Sequence, residues 1–165
     1  MSLPIREQRP FFIGGELGWN GLAGFGVNFS YHVIPRLALD TGLGLSLAGW
    51  RLGGRVRANF LTSEWTPFAG VGFTYSSGSG GQEIKLESQG DEATLEVLGS
   101  PYLQLAAGVN YTGKEGFVFT ATTGYALLLR KNNTVFVDGS PEAYDDIKPI
   151  YDGGPILSVA FGYAF

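Results

Sequence analysis

The chain holds one histidine, His32, and no cysteine, which narrows the chemistry open to it. A thiol nucleophile, a disulfide framework and cysteine-bound zinc are excluded. A serine-based esterase or deacylase would need His32 as its general base. The other side chains placed for chemistry are Glu16, Asp40, Arg55, Arg57 and Arg130. Carboxylates and guanidiniums in this mixture suit either a charge-lined pore or a closed salt-bridge network. A further acidic group, Asp138, Glu142, Asp145, Asp146 and Asp152, lies near Tyr144 and Tyr151. Such oxygens bind calcium or magnesium, but they lack calcium-loop spacing and read as a solvated loop, so no metal and no cofactor is expected. The pairs Gly24/Gly26, Gly42/Gly44 and Gly70/Gly72 lack the lysine and helix of a phosphate loop. They read as strand glycines.

The elements that must position these residues follow a period of two rather than 3.6. In LALDTGLGLSLA, Leu37, Leu39, Thr41, Leu43, Leu45 and Leu47 share one face, and Ala38, Asp40, Gly42, Gly44, Ser46 and Ala48 the other. The same division runs through segments 11–19, 24–33, 37–48, 52–61, 67–76, 102–112, 116–130 and 155–165. Across all of them the large apolar face carries no charged side chain, whereas Glu16, Asp40, Arg55, Arg57 and Arg130 fall on the small-residue face.

That asymmetry decides which face turns inward. Eight strands enclose a space only just wide enough for side chains, so the Phe, Tyr and Leu face would overfill it. The small face, with glycines making room for paired charges, fits the interior. A large apolar exterior free of charge is then what hydrocarbon requires, since Arg or Lys facing lipid at the midplane costs about 2–4 kcal/mol. Segments of this length also match the roughly 9–11 residues of a tilted membrane-crossing strand. The net charge of −4 and pI near 4.9 leave no basic stripe for nucleic acid. No apolar run is long enough for a spanning helix.

The expected fold is therefore all-β: an eight-stranded antiparallel up-and-down transmembrane barrel over residues 11–165, preceded by a short segment, 1–10. The opening MSLPIREQRP has no signal-peptide core, the look of a mature chain with a replacement start methionine. An even strand number puts both termini on one side. Connections at 34–36, 62–66 and 113–115 are short. At the other end lie a tight turn near Asn20, a turn near Trp50 and two long loops, 77–101 and 131–154. The first of these reads as a hairpin extending its flanking strands. Trp19 and Trp50 fall at the long-loop rim and Trp65 at the other, as an aromatic girdle requires.

This pattern resembles the eight-stranded outer-membrane barrels of Gram-negative bacteria, the group of the OmpA membrane domain, OmpX and OmpW. The most specific match is the ending, Leu157, Val159, Phe161, Tyr163 and Phe165, which resembles the terminal signal read by the barrel-assembly machinery. The resemblance implies an outer-membrane location with both termini periplasmic. It also implies outer-membrane lipid, lipopolysaccharide and the assembly machinery as partners. The expected role is structural or interactive, with a salt-bridge plug in the lumen and the long loops presented to an extracellular partner. A narrow channel for small solutes and an outer-leaflet lipid A-modifying enzyme are the alternatives. No catalytic site is expected, because His32 falls near the short-turn end, pointing inward, away from outer-leaflet lipid. A hydrogen bond to Asp40, Ser30 or water is its expected role.

Overall fold

The computed structural model describes residues 3–88 and 90–165. Eight long strands close on themselves: β1 (Phe11–Trp19), β2 (Phe25–Ile34), β3 (Leu37–Ser46), β4 (Gly49–Asn59), β5 (Trp65–Ser88), β6 (Asp91–Thr112), β7 (Phe117–Leu128) and, last in the chain, β9 (Gly153–Ala164). A short strand β8 (Thr134–Gly139), a helix α2 (Pro141–Ile147) and a 3-10 turn (Lys148–Ile150) precede β9, and a one-turn helix α1 (Ile5–Gln8) precedes β1. Every pairing is antiparallel, β9 joins β1 to β7, and β5 pairs with both β4 and β6, so the cylinder has no open edge. Within the cylinder closure leaves no strand with an unpaired edge, whereas β8 and the arm of β5 beyond Ser76 each pair on one side only.

The polarity follows the alternation. Phe29, Leu43, Val71, Leu105, Phe117 and Phe161 are exposed on the outside, while Glu16, Asn28, Asp40, Arg55, Arg57, Gln104 and Asn110 are buried within.

Two regions depart from the sequence-level expectation. The turn near Asn20 does not simply cross the rim. Asn20 takes a left-handed φ of 53°, and the following Leu22 and Ala23 fold into the lumen, where they are 1% and 0% exposed. Glycine makes the space: a Cβ at Gly42 would stand 2.8 Å from the Ala23 nitrogen and 2.9 Å from Leu22 Cβ, and one at Gly53 2.9 Å from Leu22 Cδ2.

The second long loop, 131–154, is not an irregular solvated loop. The first loop extends β5 and β6 as the expected hairpin, whose tip includes Gln89, outside the described residues. β8 adds to the β6 arm, and α2 packs across one face. Ile84, Leu86, Ala93, Leu95 and Val97 meet Ala143, Ile147 and Tyr151 there, in a small core outside the barrel. Ser140 caps α2 by accepting from the Ala143 N–H, with Pro141 in the first turn, a start signal legible in the sequence Ser-Pro-Glu.

Candidate functional site: a buried polar row inside the barrel

The centre of the lumen is built on Asp40. It sits on β3 directly opposite Arg55 of β4, with Arg57 two residues further along the same inward row. Arg55 donates to Asp40 Oδ2 from Nε at 3.0 Å and Nη2 at 2.9 Å. Arg57 Nη2 lies 3.1 Å from Oδ1, and Ser30 Oγ donates to Oδ1 at 2.7 Å. One carboxylate thus serves two guanidiniums and a hydroxyl, all of them buried. Both guanidiniums lie over the ring of buried Phe68, at 5.4 and 5.3 Å from its centroid, within cation–π range. On β5, a Cβ at Gly70 would come within 3.0 Å of Arg55 Cδ. The glycine admits the arginine stem.

The salt-bridge network expected from Glu16, Asp40, Arg55, Arg57 and Arg130 is formed only around Asp40. Glu16 makes no ion pair with Arg55 or Arg57. Its carboxylate accepts from Asn28 Nδ2 and from the Ala23 backbone N–H at 3.4 Å, tying β1 to the infolded turn. Arg130 is also misplaced by the sequence reading. It lies beyond the end of β7, exposed, donating from Nη1 to the Gly99 carbonyl at 3.0 Å. The alternation that assigned it to the lumen ends at Leu128, where the chain leaves the ladder.

Three further buried polar residues are missed in the sequence. Arg51, one residue before the expected start of its strand, is 3% exposed and lies over the Tyr102 ring at 5.4 Å. Gln104 donates to the Asn20 carbonyl at 2.6 Å, which holds the tucked turn. Arg6 of α1 enters the opposite end of the barrel and is fully buried. It donates from Nη2 to Asn110 Oδ1 and the Glu64 carbonyl, each at 2.9 Å, and from Nη1 to the Ser63 carbonyl. Burial, and the nearby charge of Arg57, hold Arg6 down to about 10. Inward alternation would have located Arg51 had the strand been started at residue 49. Nothing in the sequence of a terminal segment signals that Arg6 turns back into the barrel.

His32 is buried at the short-turn end of β2. Neither ring nitrogen has a hydrogen-bond partner among the described residues. The expected bond to Asp40 or Ser30 is not made; Ser30 donates to Asp40.

Trp19, at the end of β1, and Trp50, beside Tyr75 at 5.8 Å between ring centroids, lie at the long-loop rim. Trp65 lies at the opposite rim against Tyr111, 4.8 Å away. All three are exposed on the outer surface. Leu157, Val159, Phe161, Tyr163 and Phe165 likewise point outward.

No family model matches the chain, and no curated protein matches it.

Proposed function

We propose that this barrel spans the outer membrane of a Gram-negative bacterium, with both termini in the periplasm, as a sealed anchor for the cap built from residues 77–101 and 131–154. The observation that carries this reading is the outer surface. Around the closed barrel, which takes β5 only up to Ser76 and β6 only from Ser100, the outward positions are Phe, Tyr, Trp, Leu, Ile and Val interspersed with Gly, Ala, Thr and Pro, and among them no side chain is charged. The filled lumen favours anchoring over conduction. Leu22 and Gln104 cross it near the cap, Asp40 with Arg55 and Arg57 at mid-height, and Arg6 at the far end.

The work then belongs to the cap. Its β8 ends the sheet and leaves Val135, Phe136 and Val137 exposed. A partner outside the cell is expected to use this surface, and no enzymatic role is proposed.

Reconstitution into lipid vesicles tests the reading. Cysteines at positions 29, 43 and 161 should resist a water-soluble maleimide, whereas one at 137 should react in intact vesicles. Planar bilayers holding the protein should show no discrete conductance steps. Labelling of position 43 from water would refute the membrane assignment, and unitary steps would refute the plug.

A further inference from the structure

The barrel's buried charges do not balance. Four guanidiniums, Arg6, Arg51, Arg55 and Arg57, face two carboxylates, Glu16 and Asp40, a surplus of two positive charges. Arg55 and Arg57 share Asp40, and Arg6 is surrounded by carbonyl and amide oxygens. Arg51 is the least satisfied. Among the described residues no carboxylate oxygen lies within 4.0 Å of it. Among the described residues its Nε has no partner, and the side-chain hydrogen bonds it makes are long ones to neutral oxygens, Asn20 Oδ1 at 3.4 Å and Thr74 Oγ1 at 3.3 Å. The nearby Glu16 is committed to Asn28 and Ala23. A buried charge without a counter-charge is costly, so folded proteins pair such groups.

Arg51 also lines a cavity of about 40 Å³ at the long-loop rim, walled by Asn20, Ser46, Ser76, Tyr102 and Tyr151 with no carboxylate on its lining. One ordered water needs roughly 10–15 Å³, so there is room for a small anion. Trp19, Phe25 and Leu47 border the same cavity and are exposed on the barrel exterior. The space therefore lies beside the upper limit of the apolar belt.

We propose that Arg51 is the anchor of an oxyanion site, taking a phosphate group between the infolded turn after β1 and the β3–β4 turn. A guanidinium presents a planar fork of N–H donors matched to phosphate oxygens, and the Ser76 hydroxyl stands on the same wall. The phosphate would come either from a free ion or from the headgroup of a lipid beside the rim. The free-ion site does not depend on the membrane reading; the lipid source does.

The test observes the arginine Nε–H resonances of ¹⁵N-labelled protein in a phosphate-free maltoside detergent, at fixed pH and ionic strength. Titration with inorganic phosphate should move the Arg51 resonance saturably, while chloride should not, and thermal unfolding of the unaltered protein should shift upward with phosphate alone. Arg51→Lys keeps the charge but not the fork, and should weaken phosphate binding by about tenfold or more, the worth of a charge-assisted hydrogen bond. Arg51→Met should abolish it. In a second arm, bilayer discs of phosphatidylcholine with and without phosphatidic acid replace the detergent. A shift with phosphatidic acid but not with inorganic phosphate assigns the site to a lipid headgroup, and a shift with both makes it an ion site that lipid also reaches. No phosphate-dependent change in the unaltered protein in either arm, or a response that survives Arg51→Met, overturns the proposal.

Discussion

Replacing Asp40 by alanine removes the one carboxylate that serves two buried arginines. The cost is set by what is left behind: Arg55 loses two hydrogen bonds of 3.0 and 2.9 Å, Arg57 loses its contact at 3.1 Å, and Ser30 loses its acceptor. Removing one partner of a buried ion pair costs about 3–5 kcal/mol, and an orphaned hydroxyl adds about 1 kcal/mol. Since the two guanidiniums then also repel each other, Asp40→Ala should lose about 4 kcal/mol or more. The triple replacement Asp40→Leu, Arg55→Met, Arg57→Met behaves differently, because no charge of this cluster is left without its partner and the methionines still cover Phe68. It should be neutral, or more stable by about 1–4 kcal/mol. Reversible urea unfolding in lipid vesicles, followed by tryptophan fluorescence, measures both. A loss below about 1 kcal/mol for Asp40→Ala, or a triple variant as unstable as the single one, would show that Asp40 does not neutralise these arginines and would refute the argument.

Gly42→Val places a side chain where Leu22 and Ala23 now pack, and should drive the infolded turn out of the lumen, read as new protease cleavage near residue 22 in intact vesicles. Arg6→Ala removes the hydrogen bonds to Glu64 and Asn110 and should cost about 1–3 kcal/mol, with faster hydrogen exchange at the 62–66 turn and not in the cap. Ser140→Ala removes the α2 cap and should weaken protection of that helix by about 1 kcal/mol while leaving the barrel unchanged. The Glu142 carboxyl is held below its ordinary range by its own backbone N–H and by Ser140. Its contribution to α2 is therefore present above the ordinary glutamate pKa and fades as pH falls through the lowered value, which hydrogen exchange across that range would follow.

The sequence by itself determined the barrel and its polarity. An every-second-residue alternation fixes which side chains share a face, and a face of Phe, Leu and Tyr without charge opposite one of glycine and ionic groups has a single arrangement in an eight-stranded cylinder. Asp40, Arg55 and Arg57 were legible as one inward row for the same reason. Only the tertiary structure decided the rest, because the deciding contacts lie between residues far apart in the chain. Arg6 meets Asn110 across the barrel's base, Leu22 fills the space left by Gly42 and Gly53, and α2 finds its apolar partners on the extended arms of β5 and β6. Arg130 marks the boundary between the two. Alternation assigns a face only while the ladder continues, and where the backbone leaves it at Leu128 the same spacing no longer says which way a side chain points.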